Sequence, residues 1–209
     1  MQGLESVTAC CNAHACPILP AELLSKHTTF RIGGACQAMV QIANREGLQA
    51  ILQCCQEQHL PWVVLGNGSN ILAADEGYHG IVLQLGRAFS NVRQLDETTL
   101  FCEAGATLSA VGKIALEACL TGMECLAGIP GTIGGAVYMN AGAYGGEMKH
   151  IISSVKVLDQ NGQIYDISGS DMEFGYRHSK AEKDGLVVLE AEFELQTGDA
   201  AQIDAEMKR

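Results

Sequence analysis

Apolar residues recur at helical spacing between Leu48 and His59, where Leu48, Ile51, Leu52 and Cys55 share one face, and the spacing predicts an amphipathic helix. Trp62 to Leu65 is a short apolar run between Pro61 and Gly66 and reads as a buried strand. Ile81 to Leu85, between Gly80 and Gly86, reads as another. Together these give a β-α-β-like first unit over residues 26–86. From Arg87 onward, Leu100 to Ala104 reads as a strand and Thr107 to Leu120 as a helix with Val111, Ile114, Ala115 and Ala118 on one face. Ser154–Leu158 and Gln163–Ile167 flank Asp159-Gln160-Asn161-Gly162, a turn signal that predicts a hairpin. The clearest strand is Val187 to Leu195. Leu189, Ala191, Phe193 and Leu195 alternate with Glu190, Glu192 and Glu194, so one buried face and one wet face are expected. After Thr197-Gly198, residues 200–209 read as the opening of a helix. This mixture is that of an α+β protein.

Composition narrows the function. The 209 residues are 47% hydrophobic and 18% charged, enough apolar material for one large domain or two small ones. The net charge of −11 argues against holding nucleic acid by counterion release, and against a basic patch on an anionic membrane. Residues 1–20 carry no Lys or Arg and no apolar run, so no signal peptide is expected. The nine cysteines are odd in number and contain no C-x-x-C pair. They read as reduced, cytoplasmic thiols acting mostly as small core hydrophobes, with no metal site expected. Cys125 to Gly146 is an uncharged run of 22 residues, but seven of them are Gly and Pro130 interrupts it. It reads as a buried or ligand-lining loop and not as a membrane span.

Glycine changes the picture most: there are 24. Gly66-Asn67-Gly68-Ser69-Asn70 directly follows a strand. Small residues there let backbone N–H groups approach an anion, with Ser69 and Asn70 adding side-chain donors. A tight strand-to-strand turn fits the same residues, and spacing alone does not choose. The run is not a Rossmann fingerprint, since no third Gly and no helix follow. The second cluster is Gly128-Ile129-Pro130-Gly131-Thr132-Ile133-Gly134-Gly135-Ala136, followed by Asn140-Ala141-Gly142-Ala143-Tyr144-Gly145-Gly146. It lacks the Gly-Lys-Ser/Thr ending of a nucleotide-triphosphate loop. Two such loops fit one extended diphosphate ligand gripped from both sides, or else a glycine-rich packing corner. In Tyr176-Arg177-His178-Ser179, an Arg fork suits a carboxylate or phosphate, or a surface ion pair. Arg31 faces the same choice, and His178 reads as solvated or structural.

The segments His27-Thr28-Thr29-Phe30-Arg31-Ile32-Gly33-Gly34, Leu65 to Ile71, Ala127 to Glu147 and Gly175 to Ser179 resemble, in order and separation, the UDP-N-acetylenolpyruvoylglucosamine reductase (MurB) family. The resemblance runs from Lys26 to the C-terminal end. It implies an FAD-binding domain of the vanillyl-alcohol-oxidase/PCMH type made of two α+β subdomains, residues 26–86 and 87–197. Residues 1–25 would be an N-terminal extension, and 198–209 the start of a truncated third, substrate-binding domain. It implies NADPH-linked, FAD-dependent reduction of UDP-N-acetylglucosamine-enolpyruvate to UDP-N-acetylmuramate for peptidoglycan, with a nucleotide sugar as substrate. By matching, Gly66, Asn67, Gly68, Ser69, Asn70, Ile71, Gly128, Pro130, Gly131, Thr132, Gly134, Gly135, Ala136, Asn140 and Val188 would bind the cofactor. Tyr176 and Arg177 would bind substrate, and Arg177 would be catalytic. The family's Ser proton donor and C-terminal Glu match no residue here, so a truncated, non-catalytic FAD-binding module is the alternative. The short stretch between Arg177 and Val187 resembles the compact subtype, and Lys180-Ala181 stand where an aromatic or apolar residue is usual.

Overall fold

The computed structural model describes residues 2–208; Met1 and Arg209, the outer ends of the expected N-terminal extension and third domain, lie outside the described residues. The chain forms two compact units. One runs to Phe89 and includes Gln160–Gly162; the other runs from Ser90 onward without those three residues.

The first unit contains α1 (Gln2–Ala13), β1 (Ile18–Pro20), β2 (Cys36–Gln41), α2 (Arg45–Glu57), β3 (Trp62–Leu65) and β4 (Tyr78–Gln84). Its sheet has the order β1-β2-β4-β3, with β2 and β3 both parallel to β4 and β1 antiparallel to β2. The helix predicted from Leu48 starts three residues earlier because Asn44 caps it, its side chain accepting from the Gly47 N–H at 2.7 Å. Leu48, Ile51, Leu52 and Cys55 are buried, as the spacing requires. Leu24, Cys36, Met39, Leu65 and Val82 form a core cluster. Helix α1 packs on α2 within this unit.

The second unit contains β5 (Val92–Gln94), β6 (Thr99–Glu103), α3 (Leu108–Glu117), β7 (Leu120–Thr121), α4 (Glu124–Ala127), α5 (Ile133–Tyr138), β8 (Gly142–Ala143), β9 (Gly146–Glu147), β10 (Ile152–Leu158), β11 (Ile164–Ser168), α6 (Lys180–Lys183), β12 (Val187–Glu194), β13 (Gln196–Thr197) and α7 (Ala200–Met207). An antiparallel sheet of order β11-β10-β12-β6-β5 is its backbone. The predicted hairpin is present, with Leu158 opposite Ile164 and the Asp159 carboxylate accepting from the Gln163 N–H at 2.8 Å. Thr107 caps α3 by accepting from the Ala110 N–H. Helix α7 packs on α3 and α4 with Ile203 buried, and residues 198–208 belong to this unit.

Two expectations are corrected. The run Cys125–Gly146 is not a loop: it folds into α4, α5 and the β8–β9 ladder, because Gly134 packs against Ala104 and α5 lies on β12. Strand β12 has no continuous wet face. Val187 through Ala191 are all buried, Glu190 included, because β12 lies mid-sheet between β10 and β6 and carries α5. Alternation reports exposure only where one face stays open.

All nine cysteines are free, and burial pushes the Cys11 and Cys55 thiols up to about 12. Cys119 is exposed. Among the described residues no helix is long and apolar enough to cross a membrane, and no group of three or more His, Cys, Asp or Glu is placed to hold a metal ion.

Phe193 is fully buried in β12 between Ile152 and Leu100 on the neighbouring strands. Phe193→Ala is expected to cost about 3–5 kcal/mol, read as a lowered midpoint in urea unfolding.

Candidate functional site

The expected site residues fall in both units. In the first, residues 66–71 leave the sheet at the end of β3. Gly68 has φ +63°, and a Cβ there would collide with the His27 carbonyl oxygen. Thr29 donates its N–H to the Gly68 carbonyl at 3.0 Å. The loop and the His27–Gly34 segment are therefore one structural piece, joined by a backbone approach that only glycine permits. The next segment is held the same way. Gly34 donates to the Ala74 carbonyl at 2.9 Å, and a Cβ on Gly34 would meet the Asp75 carbonyl oxygen.

This arrangement encloses a polar cleft of about 430 Å³, within the usual size range of ligand pockets. Lys26, His27, Thr29, Arg31, Gly66 and Asn67 contribute to its lining. Ser69, Asn70 and Ile71 lie on the same loop but outside that lining. Glu22 binds His27 Nε2 at 2.9 Å and Lys26 Nζ at 3.3 Å. These two contacts, His27 first, hold its carboxyl below the usual carboxylate range.

In the second unit, residues 128–132 join α4 to α5 and are stitched to the β6–α3 connection. The Gly131 carbonyl accepts from Leu108, and Ile133 and Gly134 donate to the Ala106 and Ala104 carbonyls, each at 2.8 Å. A Cβ on Gly134 would lie 2.9 Å from the Ala104 Cβ, so packing explains that glycine. Packing does not explain Gly128 or Gly135. Both are exposed. A Cβ on Gly128 would meet nothing within 4 Å, and one on Gly135 only the Thr132 hydroxyl, at 3.8 Å. Thr132 and Ala136 are buried, Pro130 is exposed, and Val188 is buried in β12 opposite Val157.

Asn140 is buried and organises the rest. Its amide nitrogen donates to the Glu147 carboxylate at 2.7 Å and to the Gly175 carbonyl at 2.9 Å, while its oxygen accepts from the Lys149 N–H at 3.1 Å. Lys149, and then the Asn140 amide, holds the Glu147 carboxyl below the usual range. Gly175 opens a tight turn closed by mutual backbone hydrogen bonds with His178. Tyr176 and Arg177 project from its tip. Tyr176 is 92% exposed, and the Arg177 guanidinium lies 5.8 Å from its ring centroid. Among the described residues Arg177 makes no ion pair, which removes the surface-pair reading, whereas His178 pairs with Glu182 at 2.8 Å. Ser179 anchors the far side of the turn by donating to the Tyr138 carbonyl at 2.7 Å.

Residues 36–168 match the family model described as FAD binding domain. The chain belongs to the FAD binding domain family. Its relatives sharpen this. It is 44% identical over 186 residues to the UDP-N-acetylenolpyruvoylglucosamine reductase of Clostridioides difficile (strain 630), covering 89% of this chain and 61% of the relative. It is 42% identical to the enzyme of the same name from Heliobacterium modesticaldum, covering 90% of this chain and 59% of the relative. The crystal structure of MurB from Thermus caldophilus superposes with a TM-score of 0.77 at 32% identity, over 92% of this chain and 66% of that one. p-Cresol methylhydroxylase, at 15% identity and a TM-score of 0.65, covers 94% of this chain and 43% of that one, and shares the fold alone. The resemblance read from the motifs and the PCMH-type fold are thus borne out. The chain spans about three-fifths of the length of the curated relatives it matches.

Sequence reasoning assigned no role to Lys26, His27 or Thr29 in the cleft. The signal was present: all but Lys26 stand in the segment that ends in Gly33-Gly34, a pair of glycines needing a partner surface.

Three outcomes follow from this geometry. Asn140→Ala removes the hydrogen bonds of a buried amide to the Gly175 carbonyl, the Glu147 carboxylate and the Lys149 N–H, and is expected to cost about 1–3 kcal/mol, with faster amide exchange at His178. The depressed Glu147 carboxyl makes the same clamp acid-sensitive. Its stabilisation is complete above the ordinary carboxylate range and is lost as pH falls through the lowered value, so exchange at His178 rises in acid in the wild type. Gly135→Ala fills a helical position open in the protein, and is expected to raise stability by about 0.5–1 kcal/mol while weakening flavin retention. Thermal unfolding and flavin titration check the two halves separately.

Proposed function

We propose that this chain binds FAD and forms the flavin-binding part of an NADPH-dependent UDP-N-acetylenolpyruvoylglucosamine reductase. The observation that carries the reading is the bare surface at Gly128 and Gly135, in a chain of the FAD binding domain family. Glycine in a helix costs stability relative to alanine, and no neighbour in the fold requires it at Gly135. A surface kept that small suits a ligand backbone lying against it, so the residues present fit the cofactor. Gly66, Asn67, Gly68, Ser69, Asn70 and Ile71, with Gly128, Pro130, Gly131, Thr132, Gly134, Gly135 and Ala136, are the proposed contacts to FAD, with Asn140 and Val188 beside them. Gly68, Gly134 and Asn140 serve by holding their segments in place.

FAD, when bound, supplies two-electron transfer from NADPH to the enolpyruvyl double bond of the substrate. The chain's own part in the reaction is electrostatic. The Gly175–His178 turn fixes where Arg177 emerges, and Asn140 holds that turn through the Gly175 carbonyl. A guanidinium without an internal partner is available to a carboxylate fork-to-fork. Negative charge grows on the substrate carboxylate as hydride adds, and a cation placed beforehand stabilises that growth. Exposed Tyr176 stands beside it as a substrate contact. The product would be UDP-N-acetylmuramate, a peptidoglycan precursor, made in the cytoplasm from a nucleotide sugar.

The second reading is a flavin-binding module that does not turn over, and one experiment separates the two. The purified chain is titrated with FAD, then assayed for NADPH oxidation with and without the enolpyruvyl substrate. Substrate-dependent oxidation supports the reductase; retained flavin without it supports the module; no flavin binding defeats both. In a protein that turns over, Arg177→Ala is expected to leave flavin bound and to slow substrate reduction by about 10²–10³-fold, the scale of losing one charge-stabilising donor. Unchanged turnover would remove Arg177 from the reaction.

A further inference from the structure

The chain contains two Asn-Gly pairs, Asn67-Gly68 and Asn161-Gly162, and the fold treats them differently. Asparagine is chemically labile, most of all before glycine, where no Cβ hinders attack by the following backbone nitrogen on the side-chain carbonyl. Asn161 sits at the tip of the β10–β11 hairpin and has a partner within the fold. The residues on either side of it are also held. The Gly162 carbonyl accepts from the Gln49 amide at 2.9 Å, and the Gln160 carbonyl accepts from the Gln56 amide. Nothing comparable holds Asn67. It is exposed, it lines the cleft of the first unit, and among the described residues its side chain makes no hydrogen bond. The peptide unit joining it to Gly68 is equally unengaged: among the described residues neither the Asn67 carbonyl nor the Gly68 N–H has a hydrogen-bond partner. The two groups that must meet are therefore free to turn. Gly68 is fixed from its other side, where its carbonyl accepts from Thr29 at 3.0 Å and its α-carbon lies against the His27 carbonyl.

We propose that Asn67-Gly68 is a self-modification site, where the asparagine converts to aspartate and isoaspartate in the folded chain ahead of Asn161. The Gly68 nitrogen adds to the carbonyl carbon of the Asn67 side chain. The new N–C bond forms, the bond from that carbon to Nδ2 breaks, and ammonia leaves with the proton that the Gly68 nitrogen gives up. Water then opens the cyclic imide. Cleavage of the new bond leaves aspartate. Cleavage of the main-chain bond leaves isoaspartate, in which the backbone runs through the side-chain carbons. Water is the sole co-reactant, and nothing is oxidised or reduced. Both products place a carboxylate in the cleft lining. Only isoaspartate lengthens the backbone, and it does so directly before a glycine whose approach to the His27 carbonyl leaves no room even for a Cβ. That product therefore loosens the Thr29–Gly68 bond that joins the loop to the His27–Gly34 segment.

The test ages the flavin-free chain in mildly alkaline buffer, folded and in urea. After digestion, peptide masses follow the acid forms at both positions, and enzymatic methylation of the isoaspartyl carboxylate counts that product separately. In urea the two sites are expected to convert at similar rates, because only the neighbouring residues act there. In the folded chain Asn67 is expected to lead Asn161 by about three- to tenfold, the factor that one net interaction of hydrogen-bond strength adds to a barrier. Asn67→Gln removes the signal at position 67, leaves that at Asn161 unchanged and keeps the unfolding midpoint. The isoaspartyl fraction exchanges its Thr29 amide faster than the unmodified chain, and faster than Asn67→Asp, which carries the charge without the longer backbone. Equal rates in the folded chain, or Asn161 ahead, overturn the inference. So does a folded chain in which Asn67 stays intact while the urea sample converts. Unchanged Thr29 exchange in the isoaspartyl fraction overturns the effect assigned to the loop. Flavin enters none of these outcomes, so they stand or fall apart from the flavin reading above.

Discussion

The buried amide of Asn140 is the interaction on which the candidate site of the second unit depends. One side chain satisfies a carboxylate and a backbone N–H of the 147–149 segment and the carbonyl of Gly175. Buried polar groups are costly when unpaired, so these partners are available to each other only when α5, the β8–β9 ladder and the Tyr176–Arg177 turn are all in place. The amide thereby couples the glycine-rich stretch that precedes it to the arginine that follows it by 37 positions. It also accounts for the left-handed φ of +43° at Asn140, a conformation that asparagine tolerates better than most residues.

Glycine plays two physically different parts in this chain. At Gly68 and Gly134 the neighbouring backbone or side chain already occupies the space a Cβ would need, so the residue is dictated from inside. At Gly128 and Gly135 nothing inside the protein forbids a larger side chain. Only the second kind points outward to a ligand. Composition counts the two kinds alike, which is why 24 glycines raised the question of a close backbone approach without saying what was approached.

Much of the architecture was legible because local signals and tertiary demands agree. The α2 face, strand β3, the Asp159–Gly162 hairpin and helix α3 each combine a clear period with a cap or turn residue. Legibility failed where the neighbours decide. The segment 125–146 has too many glycines to show any period, yet contacts with Ala104 and β12 fold it into two short helices. Glu190 looks like a solvent position by alternation, but a central strand covered by a helix has no open face there. Strands β1 and β2 and helix α1 were not read at all, since β1 is three residues long and the apolar run of β2 holds no alternation.

By itself the sequence determined the chemistry on offer: two glycine-dense loops, an arginine in a Gly-Tyr-Arg-His-Ser stretch, a net charge hostile to polyanions, and the family to which such motifs belong. These are properties of residue identity and order, and no folding is needed to read them. Only the tertiary structure decided which charges were free to act. Lys26, His27 and His178 are basic in the sequence as much as Arg31 and Arg177 are, but Glu22 and Glu182 take up the first three, and no acidic residue among the described residues pairs with the other two. Partnership is a matter of distance in space, and spacing along the chain does not contain it.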